Sequence, residues 1–310
     1  MADILDKRLV FVTGKGGVGK TTVAAALGLV AARAGKRTIV CEVAQQERMS
    51  RVFRREGVGY SETPLETDLY AISIDPQHSM EEYLRTQVKP SALYTLLFDN
   101  RLFQYFAAAT PGMRELVTIG KVWELAQFER RNPQAAPFDF VIVDAPSTGH
   151  GLGFLATPRT FRDAARVGPI SRQAGKIDAF ITDPSSTGVV AVALPEEMPV
   201  NETVEFERLL DDEMGMELDA VVVNALLPER FDPDEAERIE QAVAGNGSPG
   251  VEAALRAALF EHRRARTQRA ELERLTGELR RGPLTLPFLF EPELNLRSFD
   301  ELSHELEAQL

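Results

Sequence analysis

Gly14-Lys15-Gly16-Gly17-Val18-Gly19-Lys20-Thr21 satisfies the pattern G-x-x-x-x-G-K-[ST], and Thr22 adds a second hydroxyl directly after it. The chemistry open to such a run is the holding of phosphate oxygens. Glycines let backbone amides close around phosphates without a Cβ in the way. A helix opening at Lys20 would add N–H donors and a positive dipole end. Lys20 would reach the β- and γ-phosphates of a nucleotide, and the Thr21 hydroxyl would ligate Mg²⁺. Lys15 is a second cation at the start of the loop, which an ordinary phosphate loop does not need. Either it faces solvent, or it stabilises negative charge on a transferring phosphate.

A second run, Phe138-Asp139-Phe140-Val141-Ile142-Val143-Asp144-Ala145-Pro146-Ser147-Thr148-Gly149-His150, is a buried strand ending in an acid and a turn. Asp144 at a strand's C-terminal end, facing the glycine loop, is well placed to hold Mg²⁺ through water.

Positioning these residues requires a sheet. Apolar runs without alternation occur at 9–12, 38–41, 69–74, 140–143, 189–194 and 220–223, with a weaker one at 284–286. Continuous apolar strands separated by helix-like stretches predict an α/β fold, a mainly parallel sheet covered on both faces. The third and fourth strands are too far apart for one crossover. The interval reads as a helical insertion of about residues 76–135, with Leu93, Leu96, Leu97, Leu102, Phe103 and Phe106 near helical spacing. That apolar set is either a lid burying its own small core or a surface that accepts a client. Gly and Pro mark 244–250 as a loop, and 251–281 reads as a long helix. Its basic run at 262–266 is either a salt-bridged face or a docking surface.

The chain has 310 residues, a length that fits one large domain or two small ones. Here it reads as a single domain over 1–310 carrying the insertion. The single cysteine, Cys41, excludes an internal disulfide and a Cys-x-x-Cys metal clip, and fits a cytoplasmic setting. No apolar run is long enough to span a bilayer, and no secretory leader is expected. The net charge of -12 argues against nucleic acid or anionic lipid as a general partner.

The run Lys15 to Thr22 resembles the deviant Walker A motif of dimeric ATPases, a group that holds MinD, ParA, the nitrogenase iron protein and ArsA. Asp144 followed by Thr148-Gly149-His150 resembles the switch region of the ArsA-like family of anion-transporting and tail-anchored-protein-targeting ATPases. Leu194-Pro195-Glu196-Glu197 with Glu202-Thr203 is similar to that family's next segment. The resemblance implies that Asn224, ending Val222-Val223-Asn224, contacts adenine, and that Leu286-Pro287-Phe288 is an adenine loop. It implies ATP and Mg²⁺ as ligands, Lys15 acting across a dimer interface, and Gly149 and its turn sensing the γ-phosphate. It also implies a client-binding or effector role for the insertion. The dimer would be a homodimer or a heterodimer with a related chain, and the client a hydrophobic or membrane-protein partner.

Two departures bear on this. The zinc pair of eukaryotic targeting ATPases is absent. After the second strand the family usually reads Asp-Pro-Ala-His, its Asp positioning the attacking water, whereas here the stretch is Cys41-Glu42-Val43-Ala44-Gln45-Gln46-Glu47. Val43 falls at the Asp and cannot accept a proton. Glu42 is a candidate water-positioner, but successive strand residues face opposite sides, so the switch would have to turn there. Otherwise the site is slow, or a partner subunit supplies catalytic residues. Catalysis is thus expected from Lys15, Glu42 and Asp144. The alternatives are a nucleotide-switched binding subunit with little turnover (the pseudo-enzyme half of a heterodimer) or a MinD- or ParA-like positioning ATPase. Arsenite as cargo is disfavoured by the single thiol.

Overall fold

Apolar, β-branched runs account for most of the sheet. In the computed structural model, which describes residues 4–43, 48–55, 57–87, 110–165, 167–243 and 248–310, the seven expected strands all form. They are β1 (Leu9–Gly14), β2 (Thr38–Glu42), β4 (Leu69–Ser73), β5 (Phe140–Ser147), β6 (Thr187–Ala193), β7 (Ala220–Leu226) and β8 (Leu284–Pro287). An eighth, β3 (Thr63–Glu66), pairs antiparallel to β4 at the sheet's edge. The order is β3-β4-β2-β5-β1-β6-β7-β8, and every other pairing is parallel. β1, which leads into the glycine loop, therefore lies inside the sheet between β5 and β6.

The described helices are α1 (Lys20–Arg33), α2 (Arg48–Val52), α3 (Pro76–Gln87), α4 (Met113–Leu125), α5 (Thr148–Ala165), α6 (Pro169–Ile181), α7 (Glu197–Met214), α8 (Pro233–Val243), α9 (Pro249–Glu278) and α10 (Leu296–Glu307). They cover both faces, as parallel strands buried on each side require. On one face Leu27 and Val30 of α1 meet Val40, Ile142 and the α10 residues Phe299, Leu302 and Leu306. Arg33 of α1 also donates to Glu307 Oε2 and Ser303 Oγ of α10, each at 2.8 Å. On the other face Cys41 and Val143 meet Ile119 and Val122 of α4, Phe154 of α5 and Ile177 of α6.

Of the range read as an insertion, α3 and α4 are described; Leu93, Leu96, Leu97, Leu102, Phe103 and Phe106 lie outside the described residues. α3 packs on α4, and α5 packs on both α4 and α6. Between α3, α4 and α6 lies a cavity of about 280 Å³ whose apolar walls include Met80, Leu84, Leu116, Val117 and Ile177.

Beneath α4 runs a buried ionic network. Glu124, 2% exposed, accepts from Lys121 Nζ (3.1 Å), Arg130 Nε (3.0 Å) and the Arg131 amide (3.1 Å). Lys121 continues to Glu82 of α3 at 2.9 Å, and Arg130 to Glu62 at 2.5 Å. Burial alone would raise the Glu124 carboxyl, but Lys121, Arg130 and the amide outweigh it and hold it below the usual glutamate range.

Candidate functional site

The glycine loop takes its shape from glycine's freedom at two points. Gly14 has φ +152°, and a Cβ there would meet the Val192 carbonyl of β6 at 2.2 Å. Gly19 has φ +95°, and a Cβ there would meet Asn224 Nδ2 at 2.2 Å. Any other residue would force the loop off the sheet at both places. Gly16, Gly17 and Val18 form the arch between them, and Val18 is buried. α1 begins at Lys20, so its positive end and unpaired amides face the loop.

Lys20 folds back over the arch and donates to the carbonyls of Gly14 (3.2 Å) and Lys15 (3.0 Å). Thr21 Oγ1 donates to Asp144 Oδ2 at 2.5 Å, joining the start of α1 to the end of β5. Thr22, next on α1, is half-buried. Asp144 stands in register with Val12 of β1 on one side and Glu42 of β2 on the other. Burial pushes its carboxyl above the usual range, while the Thr21 hydrogen bond and the cations Lys20 and Arg48 work against that push. Burial also lowers the Lys20 ammonium, with Asp144 opposing and Arg48 adding to the fall.

Glu42 needs no turn to share this face. It is the last residue of β2, and as Asp144's register partner it has the same side of the sheet as Val40 and Ile142. Its side chain is 1% exposed, and Oε1 accepts from the backbone amides of Arg48 (2.7 Å) and Met49 (3.2 Å), capping α2. Val43 takes the opposite side and packs with the α4 and α5 core.

Lys15 points away from the arch and pairs with Glu202 of α7 at 2.5 Å. The other Glu202 oxygen accepts from Thr148 Oγ1 at 3.4 Å, where β5 passes directly into α5 at Thr148, with Gly149 next. Asn224 sits on β7 and donates from Nδ2 to the Val18 carbonyl at 2.9 Å. Pro287 and Phe288 line a cavity of about 590 Å³ with Leu226, Arg230, Arg269 and Phe290. Phe288 meets Phe290 edge-to-face at 5.0 Å.

The structure thus gathers Gly14 to Thr22, Glu42, Asp144 and Asn224 around one loop, with Pro287 and Phe288 on a neighbouring cavity. Sequence reasoning missed Arg48, whose guanidinium Nη1 donates to Thr21 Oγ1 at 3.3 Å. It also missed that Glu202 holds Lys15; these two lie 187 residues apart, and no local spacing reports such a pair. Cys41 is buried on the far side of β2, where burial raises its thiol.

Mg²⁺ prefers hard oxygen ligands and usually keeps only one or two from protein, the rest being water and phosphate. The adjoining Thr21 hydroxyl and Asp144 carboxylate fit that donor set. Among the described residues no group of three or more His, Cys, Asp or Glu forms a cage for an ion.

A parallel sheet whose inner strand opens into a glycine arch, with Lys20, Thr21 and Asp144 converging on it, defines a P-loop ATPase. The chain belongs to the anion-transporting ATPase family, which it matches over residues 7–172 and 165–244. It is 30% identical to ATPase BagA of Mycobacterium tuberculosis, over 97% of this chain and 93% of that one. It is 25% identical to ATPase GET3 of Rhodotorula glutinis, over 73% of each chain. An ATPase ASNA1 homolog of Entamoeba dispar is 26% identical, over 71% of this chain and 76% of the relative. ATP hydrolysis is the activity this family and these relatives carry. Among the described residues no helix is long and apolar enough to cross a membrane.

Proposed function

We propose that this ATPase acts in the cytoplasm as a nucleotide-controlled dimer, homomeric or paired with a related chain, and couples ATP hydrolysis to capture or release of an apolar client. In this reading the chain is one domain with a helical subdomain at about residues 76–135. The observation that carries it is a continuous chain of contacts. Lys15 pairs with Glu202, Glu202 holds Thr148, and Thr148 opens α5, which packs on two of the helices around the apolar cavity. A change at the phosphate end is therefore transmitted through α5 to the cavity walls as a helix shift.

In the loaded site Lys20 holds the β- and γ-phosphates, with the loop amides around them. Thr21 and Asp144 would hold Mg²⁺, which would supply neutralisation of phosphate charge. Asn224, Pro287 and Phe288 receive the adenine. Glu42, on Asp144's side of the sheet and anchored through Oε1, aligns the attacking water. Lys15 leaves Glu202 and stabilises charge on the nucleotide of the partner subunit. The names of the relatives ATPase GET3 and ATPase ASNA1 homolog place this chain beside ATPases, and the client class is read from the cavity's walls.

The test is steady-state Mg-ATP hydrolysis together with light-scattering mass in ADP and in a non-hydrolysable ATP analogue. Lys15→Ala is expected to keep ATP affinity within about threefold and lose turnover by about 10²-fold or more, the usual scale for removing one preorganised charge. The wild type should gain mass as a dimer with the analogue. Turnover in Lys15→Ala equal to wild type would overturn the role of Lys15, and an unchanging monomer mass would overturn the dimer.

A further inference from the structure

Arg48 is the feature of the site that neither the glycine loop nor Asp144 accounts for. It is the first residue of α2, and it is exposed apart from the part-buried contact by which it reaches the site. Its backbone amide is fixed by Glu42 Oε1 at 2.7 Å, so the origin of the side chain is anchored. From there Nη1 reaches Thr21 Oγ1 at 3.3 Å.

The Thr21 hydroxyl has one proton and two lone pairs. The proton goes to Asp144 Oδ2 at 2.5 Å, so the guanidinium takes a lone pair. A lone pair on this oxygen is also what a Mg²⁺ ion would use. A second lone pair remains, but two cations on one oxygen repel each other, so a metal ion there would work against the guanidinium contact. Arg48 is also close enough to Lys20 to depress its ammonium, so its charge is felt on the side of the glycine loop.

We infer that Arg48 is a resident counter-cation of the site, one that lets the chain hold ATP without magnesium and yields Thr21 when the metal arrives. The inference rests on the ATPase reading and goes one step past it. With no metal the guanidinium neutralises Asp144 through Thr21 and offers its remaining N–H groups to the phosphates. A planar, always-charged fork suits that task better than a second lysine would. When Mg²⁺ binds, Arg48 leaves Thr21 and its contribution to affinity falls away. Glu42 acts here as a positioning residue, since its carboxylate fixes the backbone from which Arg48 reaches.

The test measures ATP affinity by calorimetry twice, in excess EDTA and in excess Mg²⁺, for wild type, Arg48→Ala, Arg48→Lys and Lys20→Ala. Because the Arg48 side chain is largely exposed, Arg48→Ala should melt with wild type. A charge-assisted hydrogen bond to phosphate predicts a loss of about tenfold or more in EDTA. With Mg²⁺ the loss should stay below about threefold, since the metal then occupies the oxygen. Arg48→Lys should recover part of the EDTA affinity, because it restores the charge without the fork. Equal affinities of wild type and Arg48→Ala in EDTA would overturn the inference, and so would equal losses in both conditions. Lys20→Ala should weaken binding about a hundredfold in both conditions. A wild type that failed to bind Mg-ATP at all would overturn the nucleotide reading, and this inference with it.

Discussion

Lys20→Ala is expected to weaken ATP binding about a hundredfold and to depress turnover by a further 10²- to 10³-fold. The size follows from what Lys20 does in two states. In the structure it closes the arch by donating to the Gly14 and Lys15 carbonyls, so its removal loosens the loop before any ligand enters. With nucleotide present the same ammonium would face the β- and γ-phosphates from inside a site where burial already lowers its proton affinity. A charged hydrogen bond in such surroundings contributes about 1.5–3 kcal/mol, and more than one is lost. Further charge stabilisation is lost as the phosphoryl group transfers. Calorimetry for affinity and a phosphate-release assay for turnover check both parts. An unchanged affinity in Lys20→Ala would remove the loop from the binding site.

The second large effect falls on stability. Glu124→Gln is expected to destabilise the fold by about 3 kcal/mol at neutral pH, because it strips a buried charge from between two cations. Lys121 would keep Glu82, and Arg130 would keep Glu62, which is why the loss sits at the lower end for a broken buried pair. The melting temperature should fall by roughly 5 to 10 °C. The sign of the pH dependence follows from the direction of the shift. The Glu124 carboxyl is held below its unfolded value, so its contribution is complete above pH of about 4.3 and is lost as pH falls through the lowered value. The gap between wild type and Glu124→Gln should be widest near neutrality and close in acid. A gap that stayed constant across that range would mean the carboxylate's charge is not what stabilises the network.

Much of the fold could be read from residues because the interior strands need no partner information. Val141-Ile142-Val143 and Val221-Val222-Val223 are apolar on both faces wherever they pair. β3 escaped notice because it is short, carries Pro64 and leaves Pro64 and Glu66 exposed, so the buried Leu65 is too little apolar pattern to announce it. It pairs antiparallel at the sheet's edge, where such a sequence is tolerated. The network of Glu124, Lys121 and Arg130 was equally silent, since charged residues are ordinarily counted as surface.

Within the site, the residues fixed by local backbone rules were legible: the glycines, Lys20, Thr21, and Asp144 at a strand's end. Glu42 was found as a residue but misjudged in direction. The sequence suggested that a turn would be needed, whereas Glu42 is the last residue of β2 and its parity already matches Asp144's. Arg48 was out of reach of sequence reasoning. Its place near Thr21 is set by how α2 docks, and α2 docks where Glu42 caps it. Residues brought together by tertiary docking leave no periodicity behind.

The packing of α10 on α1 has a bearing on how the molecule is made. Phe299, Leu302 and Leu306 cover the same core that holds Leu27 and Val30, and β8 completes the sheet beside β7. A ribosome that has just finished the glycine loop is on the order of tens of seconds away from these segments. Throughout that interval Val40 and Ile142 can cover the sheet side of this helix, but the side that α10 packs on has no cover from its own chain. Synthesis therefore leaves a long window, closed only once residue 306 has been made, in which a nascent-chain chaperone can hold that side of the helix.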